Sequence, residues 1–490
     1  MPKTVLVEAS DEERLAAFGD LREFIRLADQ RGELEVVRGA DPYLEMGALY
    51  ELSLRHRHPP ILLFEDIKGY PRGHRIVTNV RFSPIFTGNY DLEALKKFRK
   101  RSKAGALSIE LEDVNYGPVC ENIIRGDAVN VRAFPAAHWH EHDGGPYIGT
   151  ECLVINKDPD GDWINLGTYR VQVQDDKTLT VFIEPGKHGS VIREKWWAKG
   201  KPCPMVISVG QAPILGVVAL TQYRQGVSEL AMAGGKLGEA IKVVRGELTG
   251  LPIPADAELV FEGFMLPPEE ETRPEGPFAE WPGYYASDGG PEPVLRVGAI
   301  YHRNDPIQIG QPPAKPTFPG RQPNLAWMAA LWDALEAAGV PGVTGVWKPI
   351  GSGTTFVNVI AIKQMHAGHA KMAGLVAAGS GPGAYMGRIN IIVDDDIDIT
   401  DPTEVLWALA TRWDPKTQTD IIDGCYSGYI DPQISPAKLE AGDITTSRII
   451  IYAVRPWHWK DKFAKVNTVD KTYSDAIEAK WKDKLKFLSE

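Results

Sequence analysis

Val171-Gln-Val-Gln-Asp-Asp-Lys-Thr-Leu-Thr-Val-Phe-Ile-Glu184 sets two runs of alternating, β-branched-rich residues on either side of Asp175-Asp176-Lys177, the pattern of a β-hairpin with a short polar turn. Residues 120–310 are rich in such strand patterns and poor in helical ones, which predicts a barrel-like central β domain. The flanks read differently. Upstream, Asp20-Leu-Arg-Glu-Phe-Ile-Arg-Leu-Ala carries apolar residues at helical spacing and Pro60-Ile-Leu-Leu-Phe64 is a buried-strand run, so residues 1–119 are predicted to be an α/β region. Downstream of Pro312-Pro313 and Pro319-Gly320, a helix is predicted from Asn324 and a strand over Arg388–Val393, and Asp401-Pro402-Thr403-Glu404 is a capping-box start. Residues 311–490 therefore form a second α/β domain, and the whole is a mixed α/β protein of three domains, as 490 residues lead one to expect. From Asp475, residues Ile477, Trp481, Leu485 and Leu488 recur at helical spacing opposite many lysines, an amphipathic terminal helix that needs a partner such as another subunit.

A net charge of −11 argues against generalised binding to nucleic acid or anionic membrane, so any phosphate held here needs local donors. The N-terminal residues turn acidic before an apolar run of signal-peptide length, and no later run reaches transmembrane length, so a cytoplasmic protein is expected. Cys120, Cys152, Cys203 and Cys425 have neither CxxC spacing nor disulfide density and are expected to be buried thiols.

Chemistry-bearing residues fall in two stretches. Arg273-Pro-Glu-Gly-Pro-Phe-Ala-Glu-Trp-Pro-Gly-Tyr-Tyr285 leaves little room for helix or strand and can aim Glu275 and Glu280. A carboxyl enclosed by Phe278, Trp281, Tyr284 and Tyr285 would be desolvated, which raises its pKa and suits a proton donor, whereas one beside Arg170 would stay ionised. Asn165-Leu-Gly-Thr-Tyr-Arg170 adds an amide and a guanidinium, and His188 and Glu229 complete a donor set suited to manganese or magnesium. Taken singly, these residues read more readily as a turn former, a loop histidine, a helix-start charge, a surface ion pair and two solvated loop charges. In a straight strand residues 165 and 170 point to opposite faces, so both serve one cavity only if the chain breaks, at a Gly167 bulge or in a loop before the strand. His138-Trp-His140-Glu-His142 imitates a metal cluster but is expected to cap a turn. The Asp394-Asp-Asp396 run with Asp398 is expected to be solvated loop charge, and His366 and His369 packing or surface residues.

Taken in order, Asp20-Leu-Arg-Glu-Phe-Ile, Leu63-Phe-Glu-Asp-Ile-Lys-Gly-Tyr70, Asp143-Gly-Gly-Pro-Tyr-Ile, Asn165 to Arg170, Glu275-Gly-Pro-Phe-Ala-Glu280 and Ile391-Ile-Val-Asp-Asp-Asp-Ile-Asp398 resemble the UbiD family of decarboxylases. The resemblance implies prenylated FMN held in a central split barrel. It also implies a divalent metal, usually manganese, on Asn165, His188 and Glu229, with potassium nearby sharing the glutamate. Arg170, Glu275 and Glu280 match the catalytic network, with Glu280 as proton donor and Glu275 paired to Arg170. Lys187 accompanies His188 as a cofactor contact, and Arg388 matches a phosphate-contacting residue that is more usually lysine. Ala279 and Pro282 depart from the usual Gly and Thr. The family reading is a reversible decarboxylase of an aromatic, heteroaromatic or α,β-unsaturated acid, a homodimer or homohexamer served by a flavin prenyltransferase, with no nucleic-acid or membrane partner. The modified flavin would supply the electron sink. An ordinary FMN-dependent reductase and a non-catalytic flavin-binding protein are the rivals.

Overall fold

The computed structural model describes residues 16–80, 90–104, 108–221, 223–322, 324–353 and 355–485; the acidic N-terminal stretch and Leu488 lie outside them. The first described helix with a clear cap, Leu21–Gln30, starts at Asp20, whose carboxylate accepts from Arg22 N and Glu23 N at 2.7 and 2.9 Å. It buries Leu21, Phe24, Ile25, Leu27 and Ala28 against a four-stranded sheet ordered Leu34–Arg38, Ile61–Glu65, Arg75–Thr78, Ile307–Ile309. Ile61–Glu65 is an inner strand, which is why it reads as an unbroken apolar run.

The central sheet has ten strands, with the path Tyr147–Gly149, Arg170–Val173, Thr178–Phe182, Gly290–His302, Leu259–Met265, Cys203–Ser208, Leu153–Lys157, Ile164–Gly167; Asn122–Arg125 and Thr272–Glu275 also pair with Gly290–His302. The predicted hairpin is present, with Leu179 opposite Val173 and Phe182 opposite Arg170. One connection fixes the shape. Ile164–Gly167 ends the path, Arg170–Val173 lies next to its other end, and only Thr168 and Tyr169 join them. Since three residues reach at most about 10 Å, the two ends must meet, and the sheet curls into an almost closed, split barrel. The chain break needed between Asn165 and Arg170 is therefore a change of strand at Gly167, in place of the bulge the sequence suggested. A bulge does occur at Glu262/Gly263, where a Cβ on Gly263 would lie 1.9 Å from Arg296 O.

The C-terminal five-stranded sheet, Val343–Trp347, Val357–Ile362, Ile389–Asp394, Thr445–Ala453, Thr419–Tyr426, is parallel at its centre and antiparallel at both edges. Helix Leu325–Ala337 packs on it, capped by Asn324, whose side chain accepts from Ala326 N and Trp327 N. The layers do not follow the three segments of chain expected from sequence. Ile307–Ile309 returns to the N-terminal sheet, Glu112–Asp113 pairs with Lys242–Arg245, and helix Leu92–Ala104 packs on Leu325–Ala337, where Arg99 donates to Asp333 and Glu336.

The acidic run also departs from expectation. Asp395, Asp396 and Asp398 are exposed, but Asp394 is 3 % exposed and accepts from Gln364, Arg412 and Arg455, a buried ion network at the end of its strand. Cys152 and Cys203 are buried while Cys120 and Cys425 are half-buried, all four as free thiols. The terminal helix runs over Lys471–Trp481 and exposes Tyr473, Ile477 and Trp481. Among the described residues no helix is long and apolar enough to cross a membrane.

Candidate active site

A cavity of about 1480 Å³ lies between the curled sheet and the C-terminal domain, lined by Asn165, Arg170, Lys187, His188, Glu229 and Glu280 among others. It exceeds the roughly 300–1,000 Å³ of a typical small-molecule site.

Arg170 opens its strand on this wall. Its Nε and Nη2 donate to the two oxygens of Glu275 at 2.8 and 2.7 Å, and its Nη1 donates to Glu280. The guanidinium lies 4.0 Å over the Phe182 ring. Tyr147 Oη donates to Glu275 Oε1 at 2.8 Å. Glu275 is 1 % exposed and sits behind Arg170, outside the cavity lining, so only Arg170 and Glu280 face a ligand. One cation thus serves two carboxyls. Glu275 takes the bidentate grip, and burial pushes Glu280 up to about 7 against the pull of Arg170, with Glu275 and Glu184 adding to the rise. Burial opposes the charge on Arg170, yet Glu280 and Glu275 hold its pKa above the ordinary guanidinium value.

The two glutamates are positioned by different devices. Glu275 is fixed by a short strand, Thr272–Glu275, paired with Gly290–His302, although its prolines seemed to exclude one. Glu280 hangs from a latch: Asp143 Oδ1 accepts from Ala279 N and Tyr285 Oη, both at 3.2 Å, and Gly144 N donates to Pro277 O at 2.7 Å. A Cβ at Gly144 would lie 1.9 Å from Gly276 O, so the Asp143-Gly-Gly segment must stay small for the loop to seat. Tyr284, expected to enclose Glu280, is 62 % exposed, whereas Phe278 is buried against Tyr147, with ring centroids 4.3 Å apart.

Asn165, His188 and Glu229 line the same cavity from three elements. Asn165, on the last strand of the path, donates its Nδ2 to Asn156 at 3.1 Å, which leaves its amide oxygen as the atom able to ligate a cation. His188 is the first residue of helix His188–Ala198 and meets the Trp163 ring edge-on at 4.9 Å; burial and Lys187 lower its pKa. Glu229 starts helix Glu229–Leu237 and accepts from Leu166 N at 3.0 Å, next to Asn165. Trp163 Nε1 donates to Val227 O at 3.0 Å, tying the Glu229 segment to the same strand. Burial pushes Glu229 up to about 7, and among the described residues no Lys or Arg is ion-paired with it. An amide oxygen, a neutral imidazole and a carboxylate lacking a counter-charge fit a divalent cation.

Lys187 lines the cavity, with Nζ 3.4 Å from Glu184 and 4.4 Å over the Tyr385 ring. Arg388 does not reach the cavity wall: it donates to both oxygens of Asp431, at 2.6 and 2.7 Å, and packs over Phe356. The histidine run is no metal site. His140 lies 3.5 Å from both Glu51 and Asp143, which, although burial opposes them, push it up to about 9, and among the described residues no group of three His, Cys, Asp or Glu side chains is placed to hold a metal. His369 is buried and His366 exposed, their rings stacked at 4.7 Å. Sequence reading missed Glu184, Tyr385 and Lys348 in the lining; Glu184 lies just before the candidate pair Lys187-His188, whereas Tyr385 and Lys348 come to the cavity only through the fold.

A fixed guanidinium beside a carboxyl that holds its proton near neutrality, on the wall of a large cleft, defines an acid–base enzyme site. The sequence matches three family descriptions, the N-terminal (25–84), Rift-related (112–316) and C-terminal (325–453) domains of 3-octaprenyl-4-hydroxybenzoate carboxy-lyase, and the chain belongs to this UbiD family of carboxy-lyases. It is 31% identical over 425 residues to the pyrrole-2-carboxylic acid decarboxylase of Pseudomonas aeruginosa, covering 81% of this chain and 83% of that one. Among solved structures it resembles the UbiD-class enzyme HmfF from Pelotomaculum thermopropionicum in complex with FMN (TM-score 0.79, 28% identity, 92% of this chain and 98% of that chain). It also resembles the closed form of the vanillic acid decarboxylase of Sedimentibacter hydroxybenzoicus (TM-score 0.82, 26% identity, 94% and 99%). An evolved dimeric form of HmfF has been solved in complex with prFMN (TM-score 0.76, 27% identity, 93% and 99%). These relatives favour a carboxy-lyase over the reductase and carrier readings.

Proposed function

We propose that the protein is a reversible, non-oxidative decarboxylase of an aromatic, heteroaromatic or α,β-unsaturated carboxylic acid, working with prenylated FMN and a divalent metal. The observation that carries this is the sharing of Arg170 between Glu275 and Glu280: the charge-assisted bidentate pair fixes the guanidinium, and the second carboxyl is left protonated at the cavity wall. In this reading Arg170 orients the substrate carboxylate and Glu280 delivers the proton that replaces carbon dioxide, as fits a proton donor whose pKa lies near the working pH. Glu275 and Tyr147 hold Arg170 in place. Prenylated FMN, when bound, supplies the electron sink that no side chain here can. Asn165, His188 and Glu229 would hold the metal, manganese or magnesium, against the cofactor phosphate, with Lys187 beside them and potassium sharing Glu229. HmfF, solved with FMN, and its evolved dimeric form, solved with prFMN, support the cofactor, and the pyrrole-2-carboxylic acid decarboxylase supports the substrate class. The exposed terminal helix suits a homodimer or homohexamer.

Co-expression with a flavin prenyltransferase, followed by mass spectrometry of the released cofactor and assay of carbon dioxide release from a panel of such acids, tests the reading. A prenyl adduct on FMN and turnover without reduced nicotinamide are expected. Unmodified flavin with nicotinamide consumption would instead establish a reductase.

A further inference from the structure

To the cavity lined by Arg170 and Glu280, the C-terminal domain contributes a cation of its own. Lys348 follows strand Val343–Trp347, is 3 % exposed, and lines the cavity. Its Nζ donates to Asn358 Oδ1 at 2.5 Å and Pro382 O at 3.3 Å, and Asn358 donates in turn to Gly383 O and to Asn390 Oδ1. Asn358 and Asn390 are register partners on adjacent strands, so the amine is mounted on the sheet itself. Both of these partners are neutral, and among the described residues no carboxylate lies within ion-pair reach. A buried ammonium without a counter-charge is costly, and two neutral acceptors offset only part of that cost. Thr355, 2 % exposed, lines the same cavity, and its Oγ1 meets no hydrogen-bond partner among the described residues. Arg388 is spent on Asp431.

We infer that Lys348, with Thr355 on the same domain, is an anion anchor of the cavity, taking a phosphate or carboxylate oxygen of the bound ligand. Burial, with Arg448 nearby, pushes the free amine down to about 7, the state in which an incoming anion recovers most of the charge. The anchor rests on the reading above in taking the cavity as the seat of an anionic ligand. It also gives that ligand a contact to each domain, so that binding draws the two together.

The test is binding, not turnover. Purified full-length protein without cofactor is titrated with FMN, riboflavin, benzoate and benzamide, wild type against Lys348→Met. A charge-assisted hydrogen bond predicts a loss of at least about 10-fold for the anion that Lys348 holds. Weaker FMN with unchanged riboflavin identifies the phosphate; weaker benzoate with unchanged benzamide identifies the substrate carboxylate. Affinities for all four within about twofold of wild type, in a variant with a native circular dichroism spectrum, overturn the inference. Should Lys348→Met not fold, Lys348→Arg, which keeps the charge but redirects its donors, and Thr355→Val are titrated instead, and unchanged FMN and benzoate affinities in both overturn it equally. If the wild type binds no FMN, the cofactor reading falls by itself, and the benzoate titration still decides Lys348.

Discussion

Arg170 and Glu275 are joined by two parallel hydrogen bonds, Nε to Oε1 and Nη2 to Oε2, with the carboxylate wholly behind the guanidinium as seen from the cavity. A pair so placed binds nothing by itself; it determines where the remaining guanidinium edge points, and that edge reaches Glu280.

Replacing Glu280 by Gln keeps size and shape but removes the proton. Turnover and solvent-deuterium incorporation into product are expected to fall together by about 10²–10⁴, with flavin content unchanged by absorbance. Wild-type turnover in a cofactor-loaded Glu280→Gln protein would assign the proton to another group.

The pH dependence follows from the same carboxyl, raised by burial from 4.5 to about 7. The donor form dominates below that value, so decarboxylation is expected to decline as pH rises above about 7. For stability, only the folded chain holds this proton between the two values, so the contribution is full below the lower one and is lost as pH rises through the upper, at about 1.4 kcal/mol per pH unit. Thermal unfolding from pH 5 to 8 should slope more steeply in the wild type than in Glu280→Gln.

Glu275→Ala leaves a buried guanidinium half-paired and should destabilise by about 3–5 kcal/mol, read as a lower denaturation midpoint. Glu275→Asp keeps the charge but shortens the reach. It should recover part of the stability while turnover stays low, which separates the aim of Arg170 from its mere pairing.

His188→Ala should lower metal and flavin occupancy together, measured by elemental analysis and absorbance on the same sample. Full occupancy of both would remove His188 from the ligand set.

Deleting residues 471–490 takes away the exposed face of Tyr473, Ile477 and Trp481. Light scattering should then show a smaller assembly than the intact protein forms. An intact protein that is already monomeric would mean the helix serves no subunit contact.

Much of the fold was legible because its signals are local. The hairpin around Asp175-Asp176-Lys177, the helices that follow Asp20 and Asn324, the cap at Asp401 and the inner strand at Ile61 all depend on neighbours in sequence. The parity conflict between Asn165 and Arg170 correctly required a chain break, since pleating is also local. What escaped was set by distant partners. Ile307–Ile309 belongs to a sheet whose other strands lie more than two hundred residues earlier. Asp394 looks like loop charge until Arg412 and Arg455 close over it, and Arg388 looks available until Asp431 takes it. Lys348 reads as any surface lysine, because nothing in Val346-Trp-Lys-Pro-Ile350 announces that the domain interface will bury it.

The return of Ile307–Ile309 to the N-terminal sheet, and of helix Leu92–Ala104 to the C-terminal one, bears on how such a protein can be recombined. Cutting at linear boundaries to exchange one region with a homologue would strip an edge strand from one sheet or a cover helix from the other. The transferable modules are discontinuous, and a chimera that respects them must carry residues 307–309 with its N-terminal donor and 92–104 with its C-terminal one.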